Sequence, residues 1–212
     1  MNTTWFKSGW RLPGPHKEPV ASPVDQVQPI LRTPRLLLRP FTPSDAPTVQ
    51  QLAGAAAVAA TTLAIPHPYR EGLAQAWIAT HQPAYARREN VVFAITEQNG
   101  NLVGALNLRL ELEHSRGELG YWIGEPFWGR GYATEAVCAV IDYGFLTLGL
   151  NRIEARHLSR NPASGRVMQK AGMRHEGRQR QHVRKNGRFE DLECYGILRS
   201  DHESSPMLPD PT

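Results

Sequence analysis

The chain predicts a mixed α/β (α+β) fold, a twisted and mostly antiparallel sheet of about seven strands with helices on both faces. Three observations carry that prediction. β-rich runs and helix-period runs follow one another as three antiparallel strands, then strand–helix–strand–helix, then a hairpin. Two Asn-Gly pairs, Asn99-Gly100 and Asn186-Gly187, lie between β-rich runs and mark hairpins. A glycine-bearing segment from Gly124 to Gly131 joins a strand to a long helical run.

Taken in order, Arg35 to Arg39 reads as a short apolar strand between Pro34 and Pro40. Ser44-Asp45 can cap a helix running to about Leu52, with Pro47 tolerated in its first turn. Alanine-rich Ala53 to Ala64 predicts more helix, and Pro66-His67-Pro68 stops it. Leu73, Ala76, Trp77 and Thr80 recur at helical spacing, so Glu71 to about Arg88 predicts a helix kinked or broken at Pro83. Val91 to Thr96 is β-rich, Asn99-Gly100 predicts a type I′ turn, and Leu102 to Leu112 returns antiparallel. Ser115-Arg116-Gly117 turns the chain into a strand from Glu118 to Ile123. A helix from about Ala133 to Leu148 buries Val137, Val140, Ile141, Phe145 and Leu148, and Gly149 ends it in a left-handed cap. Arg152 to Leu158 is a strand. Asn161 caps the next helix with Pro162 at its first position, and Gly172 closes it. Met173 to Arg184 and Arg188 to Leu198 form the last hairpin.

The 212 residues are 41% hydrophobic, enough for one cored domain, expected at 31–200. Residues 1–30 read as a proline-rich extension or linker, and 201–212 as a polar, frayed tail. Arg, Glu, His or Pro interrupts every apolar run, and the first residues lack a signal-peptide core, so neither a membrane span nor export is expected; the expected location is cytoplasmic. Cys138 and Cys194 are expected to be buried thiols. No Cys or His cluster has metal-ligand spacing, so no metal is expected. A net charge of +4 permits an acidic partner without requiring one. Arg178, Arg180, Arg184, Lys185 and Arg188 make a basic hairpin. The aromatic residues do not interleave with it, which argues against nucleic acid.

The most informative segment is Tyr121 to Ala136, read as strand, glycine loop and helix. Gly129 and Gly131 let the backbone approach a bulky anion, and the helix start adds unpaired N–H groups and a positive dipole end. Together they predict a pyrophosphate cradle. A nucleotide P-loop needs a Lys after its second glycine, and a dinucleotide fingerprint needs a third glycine where Thr134 stands. A plain glycine turn into a core helix would need no ligand.

Trp128-Gly129-Arg130-Gly131-Tyr132-Ala133 resembles motif A of the GNAT superfamily of N-acetyltransferases, Q/R-x-x-G-x-G/A, with Trp128 in place of Gln or Arg. Thr33 to Pro40, Gly117 to Ile123, Asn161 to Ser164, Lys170 to Met173 and Glu176-Gly177 resemble the RimJ/RimL-type branch, which acetylates N-termini of ribosomal proteins. The resemblance runs from about Thr33 to about Arg199 and implies direct transfer of an acetyl group from acetyl-coenzyme A to a primary amine. The cofactor-binding residues it implies are Ile123, Trp128, Gly129, Arg130, Gly131, Tyr132, Ala133, Thr134 and Asn161.

The catalytic side chains expected are Ser164, Glu118 and His182. Ser164, where the branch uses a serine, is the hydrogen-bond donor to the leaving sulfur; Met168 stands where many relatives have a Tyr acid. Bonding within its helix's first turn would also account for Ser164. The Ile123 N–H is the expected oxyanion donor, in a sheet splayed by Gly124 and Pro126. The branch's hairpin glutamate is replaced by Val183, so Glu118 and His182 are the alternatives for a base. A free α-amino group titrates near 8 and needs no strong base. His67 is a candidate contact to the amine. The acceptor is expected to be a protein N-terminus, with a ribosomal protein as partner; a polyamine or aminoglycoside is the enzyme alternative and a non-catalytic acyl-coenzyme A sensor the other. The resemblance allows monomer or homodimer.

Overall fold

A computed structural model describes residues 27–204. Eight strands form one sheet: β1 (Leu31–Arg32), β2 (Leu36–Arg39), β3 (Asn90–Glu97), β4 (Leu102–Glu111), β5 (Arg116–Ile123), β6 (Arg152–Leu158), β7 (Arg174–Lys185) and β8 (Arg188–Leu198). Their order is β1-β2-β3-β4-β5-β6-β8-β7. Only β5 and β6 pair in parallel among the described residues. The eighth strand, beyond the seven or so expected, is the two-residue β1, too short to show a period.

The helices are α1 (Ala46–Ala53), α2 (Ala56–Thr61), α3 (Leu73–Ala79), α4 (His81–Ala86), α5 (Tyr132–Asp142), α6 (Pro162–Lys170) and α7 (Arg199–Ser204). α5 and α6 cover one sheet face through Val137, Val140, Ile141 and Met168, packed on Leu106, Leu108 and Ile153. α1 and α3 cover the other through Val49, Ala53, Ala74 and Ile78, packed on Ala94 and Leu102. Leu119, Tyr121 and Ile123 therefore face α5 and α6, while Glu118, Gly120 and Trp122 face α1 and α3, because strand side chains alternate.

Several local expectations need correction. Gly100 has φ 89° but Asn99 is not left-handed, so the β3–β4 hairpin is not type I′. Gly100 N–H donates to Glu97 O at 2.9 Å and Glu97 N–H to Asn101 O at 2.9 Å, a three-residue loop with a bulge. Asn186 and Gly187, at φ 48° and 80°, do form the primed turn of the second hairpin. The break between α3 and α4 falls at Thr80, whose hydroxyl bonds Trp77 O at 2.7 Å; Pro83 sits inside α4's first turn, where its missing N–H leaves no bond unmade. The long helix passes after Asp142 into one π turn, Tyr143–Thr147, before Gly149 ends it at φ 73°. Cys138 and Cys194 are free and half-buried rather than buried.

The domain ends also differ. Gln28, within the expected linker, is buried, and its Nε2 donates to Val92 O at 2.8 Å. α7 runs four residues into the expected frayed tail and docks through His202 on Asp142 (2.9 Å) and Asp201 on Arg174 (2.8 Å). Residues 1–26 of the proline-rich extension and 205–212 of the tail lie outside the described residues.

Candidate active site

The site begins where β5 and β6 part. Their parallel ladder covers Arg116 to Leu119 against Arg152 to Ala155 and stops there. β4 stays paired with β5 as far as Ile123, and β8 stays paired with β6 as far as Leu158. The divergence thus starts upstream of Gly124 and Pro126, which were expected to cause it. A cavity of about 950 Å³ occupies the gap and is lined by residues from both sheet faces.

Backbone alternation decides what points into the gap. Gly124 N–H donates to Val103 O at 2.8 Å, so Ile123 and Gly104 form a non-hydrogen-bonded pair. Ile123, and Tyr121 two residues before it, therefore turn their N–H and C=O groups away from β4, toward the gap. Trp128 Nε1 takes the Ile123 carbonyl at 2.6 Å, which pins the loop to the strand end and leaves the Ile123 N–H facing the cavity. That bond gives a physical role to the tryptophan found where Gln or Arg is usual.

The loop itself has Gly129 at φ 76° and Gly131 at φ 80°, values that a side chain would strain. The first intrahelical bond of α5 runs from Glu135 N–H to Gly131 O, so the N–H groups of Tyr132, Ala133 and Thr134 have no helical acceptor. Gly129, Gly131, Tyr132, Ala133 and Thr134 all line the cavity. Arg130 turns outward, its guanidinium on Pro126 O at 3.1 Å and 4.0 Å from Glu97. Tyr132 OH likewise donates to Glu97 at 2.7 Å.

A brace from the chain's start holds this loop. Glu135, in α5's first turn, accepts Thr33 Oγ1 at 2.6 Å, Arg35 N–H at 2.9 Å and Arg35 Nε at 2.7 Å. Burial opposes the Glu135 charge, yet these bonds win and hold its carboxyl below the usual range. Arg35 also donates to Arg130 O at 2.9 Å. The Thr33-Pro34-Arg35 segment is thus part of the cradle's support.

Across the gap, on the α5–α6 side, Ser164 Oγ lies 2.8 Å from Tyr121 Oη, and Tyr121 Oη also donates to Ser164 O at 3.1 Å. Burial pushes the Tyr121 phenol up to about 12, against the Ser164 bond that lowers it. Both hydroxyls stay protonated at neutral pH and both line the cavity. Sequence reasoning named Ser164 and missed Tyr121, because their pairing spans 43 residues; the alternation of β5 could have shown which way Tyr121 points. Asn161 does not cap α6 with its side chain; its Nδ2 reaches Thr61 O at 3.3 Å, which ties α6 to α2 across the rim.

On the α1–α3 side, Glu118 is held by two guanidinium groups. Arg156 donates to Oε1 through Nε at 2.9 Å and Nη2 at 2.6 Å, and Arg109 Nη2 bonds Oε2. Neither arginine was anticipated. Beside it, a Cβ on Gly120 would stand 2.7 Å from Asn107 Oδ1, so glycine keeps the Asn107 amide accessible at the cavity floor. Asn107 Nδ2 donates to Asn90 Oδ1 at 3.1 Å, which leaves the carbonyl oxygen as the exposed acceptor.

The other candidates stand apart. His182 is exposed on β7 beside a bulge between Gln179 and Val183 and forms no part of the cavity wall. His67 is exposed too, its Nδ1 3.2 Å from Gly54 O, with only its neighbour Pro66 in the wall. Lys185 at the basic hairpin's tip reaches back to the cavity rim, its Nζ 3.4 Å from Leu63 O.

The residues present suit an anionic thioester carrier. Main-chain donors of the loop face the cavity, Arg156, Arg166 and Lys170 line it, and Glu118 is the one carboxylate of its wall among the described residues. Unpaired edge groups of β5 can hold the amides of an extended arm. No group of three or more metal-ligating side chains occurs among the described residues, and none of their helices is long and apolar enough to cross a membrane.

Comparison with known proteins agrees. Residues 35–174 match the family model described as an acetyltransferase (GNAT) domain. The chain is 33% identical over 175 residues to the uncharacterized N-acetyltransferase YoaA of Bacillus subtilis, covering 81% of this chain and 97% of YoaA. It is 26% identical over 111 residues to spermidine N(1)-acetyltransferase of Vibrio cholerae, covering 52% of this chain and 64% of that protein. Its fold matches that of RimL, ribosomal L7/L12 alpha-N-protein acetyltransferase in complex with coenzyme A, with a TM-score of 0.74 at 21% identity, covering 80% of this chain and 98% of RimL.

Proposed function

Because the chain belongs to the GNAT acetyltransferase family, we propose that its own reaction is transfer of an acetyl group from acetyl-coenzyme A to the α-amine of a protein N-terminus. The observation that carries this reading is the two-sided gap. Donors for a diphosphate and for a leaving sulfur sit on the α5–α6 side, and an open, mostly apolar wall sits on the α1–α3 side.

Acetyl-coenzyme A supplies an activated acyl group. The loop Gly129 to Thr134 and the Trp128 brace hold its diphosphate, with Ile123 and Asn161 beside the arm. The Ile123 N–H donates to charge that grows on the reacting carbonyl oxygen, a contribution of about 3 kcal/mol for one pre-aimed donor. Tyr121 and Ser164 donate hydrogen bonds to the sulfur as it leaves. Full proton transfer from a phenol near 12 to a thiolate near 8.5 is uphill, so the pair works by donation and solvent supplies the final proton. The amine, near 8 when free, loses its proton to solvent, with Asn107 Oδ1 as its acceptor at the floor. Glu118, already bonded to Arg109 and Arg156, offsets one of those two positive charges next to the amine.

The polyamine alternative finds little support, since a polycation needs several free carboxylates. RimL is described as acting on a ribosomal protein, which is the partner class proposed here. Thiol release from acetyl-coenzyme A, measured against N-terminal peptides, spermidine and an aminoglycoside, tests the reading. Turnover with peptides supports it; turnover with spermidine alone, or release without any acceptor dependence, contradicts it.

A further inference from the structure

Resting on that reading of the acceptor, the cavity lining bears on which N-terminus fits. The cavity wall on the α1–α3 side is built from Val58, Leu63, Ile65, Tyr69, Trp77 and Trp122. Leu63 is 44% exposed and Leu73, also in the lining, 37%, although both are large and apolar. Tyr69, Trp77 and Trp122 are only half-buried, packed on the α1–α3 core with one side left to the cavity. So much uncovered aromatic and aliphatic surface in one concave patch marks a binding wall.

Its position ties it to the reacting amine. Trp122 lies between Tyr121, one of the two proposed donors to sulfur, and Ile123, whose N–H faces the gap. The patch is on the opposite sheet face from the Tyr121–Ser164 pair, so the diphosphate cradle does not cover it. In a peptide the first side chain branches from the carbon that carries the amine. It must therefore lie against whatever wall surrounds that amine.

We propose that this wall receives the acceptor's first side chain and selects a bulky apolar one, Leu, Met or Phe, over Ser, Ala or a charged residue. Burying several additional methylene groups favours the large side chains. A Ser or Ala side chain would bury little against Val58, Leu63 and Trp77, and a Lys would find Glu118 already taken by two guanidinium groups.

The test is a set of heptapeptides identical except at the first residue, Leu, Met, Phe, Ser, Ala or Lys, with spermidine alongside. Each is assayed by thiol release with the full chain at saturating acetyl-coenzyme A. The proposal expects kcat/KM for Leu, Met and Phe to exceed that for Ser and Ala by about tenfold or more. Leu63→Asp, at an exposed rim position that leaves the core intact, should lower the Leu-to-Ala ratio at least about threefold while the melting temperature holds. Equal or better turnover of Ser or Ala, or an unchanged ratio in Leu63→Asp, overturns the wall assignment alone. Turnover of spermidine with no peptide turned over overturns both the wall and the N-terminal reading.

Discussion

The two faces of β5 are built from different material. Toward α5 and α6 the site is mostly main chain: left-handed Gly129 and Gly131, the free N–H groups of Tyr132, Ala133 and Thr134, and the outward N–H of Ile123, joined by just two side-chain hydroxyls, those of Tyr121 and Ser164. Toward α1 and α3 it is made of side chains: a carboxylate between two arginines, an amide over a glycine, and an aromatic wall. Main-chain donors serve any bearer of the same diphosphate and need only glycine and a helix start. Side chains can be exchanged one at a time without loss of the fold. On the proposed reading the first face serves the cofactor and the reaction, and the second selects the acceptor.

Substitutions should divide along that line. The largest effect is expected from Tyr121→Phe with Ser164→Ala, which removes both donors to sulfur: kcat falls about 10²-fold or more, with little change in the KM for acetyl-coenzyme A. Each single variant should retain much more activity than the double, since the two hydroxyls lie 2.8 Å apart and either can serve. Equal losses in all three would mean that the two hydroxyls act only as a unit, and one single variant matching the double while the other keeps full activity would mean that one acts alone.

Next in size is Gly131→Val. A β-branched residue at φ 80° is strained and moves the loop, so the Kd for acetyl-coenzyme A by calorimetry should rise at least about tenfold. On the other face, Glu118→Gln removes the one negative charge that offsets Arg109 and Arg156, and the acceptor KM should rise roughly three- to tenfold with the cofactor Kd unchanged. His182→Ala, outside the cavity wall, should stay within about twofold in kcat/KM, whose pH profile should follow the acceptor's own amine near 8.

The smallest effect concerns the β6–β8–β7 edge. Ser159, then His175 and Arg178, hold the Glu193 carboxyl down at about 2. A carboxyl depressed on folding stabilises the protein above its unfolded value near 4.5 and loses that contribution as pH falls toward 2. Glu193→Gln should flatten the decline of melting temperature between pH 4.5 and 2 while lowering stability at neutral pH.

The main-chain face was legible in the sequence because it is local. Tyr121 to Ala136 contains strand, loop and helix start in one run, and Gly129 and Gly131 announce the left-handed turns. The element order was legible for the same reason. What escaped was non-local. Tyr121 meets Ser164 across 43 residues, Glu118 meets Arg156 across 38, and Thr33 meets Glu135 across 102. Periodicity places such residues on elements but does not say which elements meet. Asn99-Gly100 shows a local limit as well, since the same dipeptide serves a primed turn or a bulged three-residue loop depending on strand register.

The account stands on the main-chain cradle ahead of α5. Its most direct test is a calorimetric comparison of acetyl-coenzyme A with S-acetylpantetheine, which carries the same thioester and arm but no diphosphate. Tighter binding of acetyl-coenzyme A by about a hundredfold or more, with most of that advantage lost in Gly131→Val, is the predicted result. Equal affinity for the two compounds would contradict it.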